Sequence, residues 1–172
     1  MKKYFFLFIS IFLLSCASKK QQSFSALCPE ILFSKDHRIY IATEENSLTL
    51  NNISYKAVIN NYKFPSECFM INNKVEATLS ILFTITPDKA KLADIIIPYY
   101  IALLDDQKNI VNIQYYKATG TLKKNDDKYF YVETEIRTTQ NVTIPVQDMN
   151  VDLNKKLLLG FMLNQDKLKI LN

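Results

Sequence analysis

Glycine is nearly missing from this chain, with two residues in 172. That scarcity excludes the nucleotide-binding signatures built on glycine-rich loops, whose backbone must come close to a phosphate. It also leaves turn formation to Asn, Asp, Lys and Pro. Histidine is scarcer still: His37 stands alone in the polar segment Ser34-Lys35-Asp36-His37-Arg38. No nucleophile-elbow sequence accompanies it, so His37 reads as a solvated turn residue rather than a member of a catalytic triad. An excess of one charge is lacking too, because 21 basic side chains face 17 acidic ones. The basic residues are dispersed among acids rather than gathered into a stripe with aromatics, which excludes nucleic acid as a partner. One histidine and a few scattered cysteines give no zinc-ligand spacing, so no metal and no cofactor is expected.

What is present begins with an address. Met1-Lys2-Lys3 is followed by Tyr4 to Ser15, a run without charge that is shorter than the roughly 20 residues a bilayer-spanning helix needs. A basic start and an apolar stretch of this length form an export signal. Leu13-Leu14-Ser15-Cys16 resembles the lipobox of bacterial lipoproteins, which implies cleavage before Cys16 and attachment of a diacylglyceryl group and a further acyl chain such as palmitate to that residue. Each buried CH₂ of such chains contributes about 0.8 kcal/mol, so two or three chains anchor firmly. Ala17 after the cysteine, rather than Asp, implies the periplasmic face of the outer membrane more than the inner membrane. Residues 1–15 are thus expected to be a cleaved signal peptide and residues 16–26 a lipid anchor and flexible tether. Residues 27–172 are expected to form one domain. Without Lys2 and Lys3 the mature part carries 19 basic against 17 acidic side chains.

Setting Cys16 aside leaves Cys28 and Cys68, an even pair in an oxidising compartment, which reads as a disulfide. Closing a loop of that size stabilises a fold by about 4 kcal/mol in the chain-entropy model.

The rest of the chain alternates with period two. In Lys74 to Thr86, Val75, Ala77, Leu79, Ile81, Phe83 and Ile85 alternate with Glu76, Thr78, Ser80 and Thr84, so one face is buried and the other wet. Ile53 to Lys63 repeats the pattern. Asp94 to Leu104 and the alternating set Val111, Ile113 and Tyr115 flank Asp105 to Asn109 as a hairpin, and Lys123 to Lys128 is the turn before Tyr129 to Thr138, whose Phe130, Val132 and Ile136 are expected inward. Val142 to Val146 extends or follows that strand, and Lys156 to Leu163 supplies the last one. With Arg38 to Ala42 and Glu67 to Ile71 the count is about eight strands. Only Thr86 to Ala93 and Asn164 to Leu171 offer a helical turn. The fold expected is an all-β, antiparallel two-sheet sandwich of immunoglobulin or fibronectin type, with a small barrel as the alternative.

The acid pairs Asp105-Asp106 and Asp126-Asp127 sit in turn sequences, where Asp is favoured by its bonds to local backbone, and they lack the spacing of a calcium loop. Tyrosine is more informative. Neighbouring strand residues face opposite ways, so one member of Tyr99-Tyr100 and of Tyr115-Tyr116 must leave the core. If Tyr100, Tyr116, Tyr129 and Tyr131 share an outer face, they form an amphipathic surface for an envelope protein or lipid.

Cys28-Pro29, Cys68, the block Pro98-Tyr99-Tyr100-Ile101-Ala102-Leu103-Leu104-Asp105 and the ending Leu159-Gly160-Phe161-Met162-Leu163-Asn164-Gln165-Asp166-Lys167-Leu168 together resemble a group of uncharacterised alphaproteobacterial lipoproteins. The resemblance implies an envelope lipoprotein with a β-sandwich domain and no assigned activity. The functional expectation is therefore a non-enzymatic interaction or structural module, held at the membrane by Cys16. The alternative is a carrier or sensor for a small apolar or lipid ligand, which requires a cavity between the sheets.

Overall fold

A computed structural model describes residues 23–43, 52–88, 94–125, 131–146, 155–164, 167 and 171. The strands are β1 (Phe24–Ala26), β2 (Glu30–Phe33), β3 (Ile39–Thr43), β4 (Ile53–Lys63), β5 (Cys68–Ile71) and β6 (Lys74–Pro87), followed by β7 (Asp94–Leu104), β8 (Ile110–Thr121), β9 (Lys123–Lys124), β10 (Tyr131–Val132), β11 (Thr134–Pro145) and β12 (Lys156–Phe161). They form the two-sheet sandwich expected. In the first sheet, β6 is central. One of its edges carries β11 along Lys74 to Ile85, and the other is shared by β5 at Lys74 to Glu76 and β4 at Ser80 to Pro87. Beyond these lie β1 and β3. The second sheet runs β2-β12-β7-β8, and β9 with β10 makes a short ribbon between β8 and β11. One pair, β2 with β12, is parallel.

The strand count exceeds eight because short pieces escape a periodicity that needs several turns of alternation to be seen. Phe24–Ala26 is one of them. Assigned to the tether, it instead pairs with Cys68 to Met70 as β1, so the folded part begins before Leu27. The segment Tyr129 to Thr138 is also not one strand: β10 ends at Val132, which is exposed, and β11 starts at Thr134 and runs unbroken through Val142 and Ile144. Thr134 explains the break. Its buried hydroxyl accepts from Lys123 N–H and donates to the Val132 carbonyl, turning the chain where it passes between sheets. Phe130, Tyr129 and the Asp126-Asp127 pair lie outside the described residues. So does most of the turn expected after Thr86, while Lys167 and Leu171 are helical. Asn164 Oδ1 accepts the Lys167 N–H, an N-cap for that turn.

The turns fall on the residues that the glycine shortage predicts. Asn72 and Asn73 both take left-handed backbone, closing the β5–β6 hairpin, and Lys108 does so between β7 and β8. In that second turn Asp105 accepts the N–H groups of Gln107 and Asn109 and the Asn109 side-chain amide. The Asn109 bonds hold its carboxyl below the usual carboxylate range.

Between the sheets, Val75, Leu79, Ile81, Phe83 and Ile85 of β6 meet Ile95, Ile97, Tyr99 and Ile101 of β7 and Leu159 and Phe161 of β12. Phe83 is the centre, its ring 5.3 Å from Tyr99 and 5.7 Å from Phe161. Cys28 and Cys68 are bonded, with Cα atoms 5.2 Å apart. This joins the β1–β2 connection to the first residue of β5.

Tyr55 ties the sheets together by a polar contact. Its register partner on β6 is Pro87, and its hydroxyl donates to the Ile96 carbonyl (2.8 Å) and accepts the Ile96 N–H (3.2 Å). The reason lies in the ladder. β12 ends opposite Tyr99, so among the described residues Ile96 on β7 has no strand beside it on that edge, and one phenol satisfies both backbone groups. Burial pushes this hydroxyl up to about 12. Tyr55→Phe is expected to destabilise the domain by about 1–3 kcal/mol, because it orphans two backbone groups at once. A raised folded-state value means that the stability is fully present below pH 10 and is lost as pH rises from 10 towards 12, where the unfolded chain ionises first. Alkaline unfolding curves of the variant should fall less steeply over that interval than those of the parent.

Candidate interaction face

The outward faces of the two sheets differ in chemistry. On the first, β6 and β11 present Glu76, Thr78, Thr84, Glu135, Arg137, Thr139, Asn141 and Thr143 in register, an ordinary solvated surface. On the second, many of the residues that point away from the core are apolar, beside Asp94, Lys117, Thr119, Thr121 and Lys156. Ile96, Pro98, Tyr100, Ala102 and Leu104 lie along β7, with Ile113 and Tyr115 beside them on β8 and Leu158 and Gly160 on β12. Ile96 is 55% exposed and Tyr115 60%, with Ile110 and Val111 both 57% at the end of the same edge strand. A register shift opposite Leu103 and Leu104 leaves Val111 as the extra residue of a bulge.

Tyr100 is held down rather than displayed. It faces outward, yet its ring lies across Gly160: a Cβ built on that glycine would stand 2.6 Å from the tyrosine hydroxyl and 3.0 Å from the Cβ of His37. The absent side chain is the seat of the ring. His37 packs edge-on against the other side, with ring centroids 5.7 Å apart, and its carbonyl accepts the Phe161 N–H. His37 is therefore half-buried on the second sheet and not a solvated turn residue; among the described residues its Nδ1 has no hydrogen-bond partner.

The four tyrosines expected to share an outer face do not. The ladder pairs Tyr99 with Tyr116 and Tyr100 with Tyr115, and opposed residues point the same way. Tyr116 consequently faces inward, stacked on Tyr99 at 5.5 Å with its hydroxyl bonded to Gln114 Oε1. Tyr131 is half-buried against the core. Tyr100 faces outward but is covered, and Tyr129 lies outside the described residues, as does Cys16. The exposed member is Tyr115. Its neighbours Ile96, Ile110 and Val111 were also missed, although the runs Ile95-Ile96-Ile97 and Ile110-Val111 carry the signal: consecutive apolar residues in a strand put one of them outside.

Inside the gap between β8 and β11 the character changes again. Thr138 and Gln140 face inward from β11, with Gln140 Nε2 donating to Thr138 Oγ1 at 3.3 Å. Burial raises the Tyr99 hydroxyl above its ordinary range, and these two side chains offset part of the rise. Among the described residues no hydrogen bond of good geometry closes on that hydroxyl, so they act as nearby dipoles. Elsewhere, an open depression of about 260 Å³ on the first sheet is lined by Ser66, Glu67, Phe69, Glu76, Thr78 and Asn141 among others. Among the described residues no three His, Cys, Asp or Glu side chains converge as metal ligands. Comparison with protein-family models, with curated proteins and with solved structures finds no match.

Proposed function

We propose that this chain is a lipid-anchored, non-enzymatic interaction module of the bacterial cell envelope, tethered through Cys16 and docking by the outward face of its second sheet. The observation that carries the docking part is the contrast between faces. Strands β6 and β11 turn mostly threonines and charges to water, with Ile39 and Phe69 exposed on the flanking strands, while the second sheet groups Ile110, Val111 and Tyr115 on its edge strand β8 beside Ile96 on β7. Exposed apolar residues grouped in this way mark a contact surface. The anchoring part rests on the basic start, the short apolar run and the lipobox-like Leu13-Leu14-Ser15-Cys16, and on the resemblance to alphaproteobacterial envelope lipoproteins. The Cys28–Cys68 bond agrees with an oxidising compartment, and Ala17 favours the outer membrane. Carriage of a ligand between the sheets is less well supported, since Phe83, Tyr99 and Phe161 fill the centre with mutual ring contacts.

Mass spectrometry of the membrane fraction from an envelope-expressing host tests the anchor. A mature N-terminus at Cys16 carrying acyl chains is expected, together with loss of that species and retention of residues 1–15 in Cys16→Ala. A soluble, unacylated protein, or processing at any other residue, removes the lipoprotein reading.

A further inference from the structure

The edge strand β8 runs from Ile110 to Thr121, and among the described residues it pairs with β7 alone. Natural sheets protect such edges with charge, proline or short length, because an unpaired row of N–H and C=O groups invites another strand. This edge has little protection. Its length is 12 residues, its single charged side chain is Lys117, and it contains no proline. Four exposed large apolar side chains lie together at this edge, Ile110, Val111 and Tyr115 on the strand itself and Ile96 on its neighbour, while others such as Phe24 and Leu27 lie elsewhere.

We infer that the partner of this edge is a second copy of the same chain, the two β8 strands pairing antiparallel about a two-fold axis at Tyr115 to join two four-stranded sheets into one. The inference names the occupant of the docking face proposed above and rests on that reading. The register follows from three constraints. A continuous sheet must oppose outward residues with outward ones, so the axis passes through a residue and not between two. Centring on Lys117 would set like charges directly opposite, which is destabilising. Centring on Tyr115 uses nearly the whole strand, Ile110 to Gly120, and places Tyr115 against its own copy. Lys117 then lies against Ile113 of the second copy, where its stem covers apolar surface and its ammonium reaches water. Inward, Tyr116 falls opposite Gln114 of the second copy, the residue type that its hydroxyl already engages. A single strand-to-strand edge buries less than a standard interface, so the dimer is weak in dilute solution. A membrane anchor raises the effective concentration and favours it.

The full chain carrying Tyr115→Cys, expressed in an envelope and oxidised mildly, is expected to run on a non-reducing gel at twice the mass of the same sample after reduction. Residues opposed at a two-fold lie within disulfide reach. Lys117→Cys is the control. Its copies sit about 13 Å apart along the paired strands and are expected to remain uncrosslinked. Tyr115→Lys should abolish dimer seen by amine crosslinking of the membrane fraction. Equal crosslinking of both cysteine variants, or none with Tyr115→Cys, overturns the inference. Crosslinking of Tyr115→Cys to a protein of another mass overturns the second copy as occupant while leaving the docking face standing. Failure of acylation at Cys16 speaks to the anchor and leaves the Tyr115 result to be read independently.

Discussion

Phe83→Ala is expected to lower the unfolding free energy by about 3–5 kcal/mol, a large part of what holds a domain of this size together. Phe83 sits on the central strand of the first sheet, has no exposed surface, and its ring meets Tyr99 on β7 and Phe161 on β12. Truncation therefore removes transfer energy and leaves a cavity bordered by two other rings. Those rings cannot close it freely. Tyr99 is stacked on Tyr116, and Phe161 also packs on Tyr40 with centroids 5.8 Å apart. The control is one position along the chain: Thr84→Ala removes an outward, half-buried side chain of the same strand and is expected to cost less than 1 kcal/mol. Urea unfolding, read as the shift in midpoint at unchanged slope, checks both. Similar losses at the two positions would mean that the sheets do not pack through β6 as described.

That one-residue contrast also explains how much of this fold is legible in the sequence. The first sheet has one dry face and one wet face, so alternation alone recovers Val75, Ala77, Leu79, Ile81, Phe83 and Ile85 as the buried set. Ser80 departs from the pattern, buried although it faces outward. In β4, alternation holds from Tyr55 through Ile59, and then a register shift before Asn61 moves Tyr62 to the inner side, where it meets Phe33. No pattern in the sequence announces such an extra residue.

The second sheet defeats periodicity for a different reason. Its outward face is apolar at Ile113 and Tyr115, so on β8 that alternating set looks like an inner face while Gln114, Tyr116, Ala118 and Gly120 hold the true inner positions. Small residues stand at 118 and 120 because β11 crosses close by. A Cβ on Gly120 would meet Ile136 Cδ1 at 2.6 Å, so the sandwich pinches shut at that corner. The tyrosine surface was misassigned by this same inversion, which exchanged Tyr116 for Tyr115. Only the cross-strand register settles the choice, and register belongs to the pairing rather than to either strand. The position of His37 was equally hidden, because it depends on the chain after β2 continuing along β12, where Ser34 N–H bonds the Leu159 carbonyl and Phe161 N–H bonds the His37 carbonyl.

Breaking the Cys28–Cys68 bond is expected to cost about 4 kcal/mol, since the link closes a loop of 40 residues in the unfolded chain. For a domain of this size that lowers the melting temperature by roughly 10 °C or more. The two single substitutions should not be equal. Cys68 is 1% exposed and belongs to the main core, whereas Cys28 lies exposed in the β1–β2 connection. Cys28→Ser leaves a buried thiol, which behaves as a small apolar group. Cys68→Ser leaves a buried hydroxyl instead, and that adds a further cost of about 1–3 kcal/mol unless a partner is found. The order of melting temperatures is therefore parent, then Cys28→Ser, then Cys68→Ser, with reduced parent close to Cys28→Ser. Thermal unfolding with and without reductant gives all four values. Equal melting of reduced and oxidised parent would mean that the bond adds nothing to the fold. The bond joins the edge of the first sheet, where β1 pairs with β5, to the segment entering β2 on the second. The energetic role is thus also a topological one: it fixes where the chain arriving from the N-terminal side enters the sandwich, and so where any anchor at Cys16 is tethered to the domain.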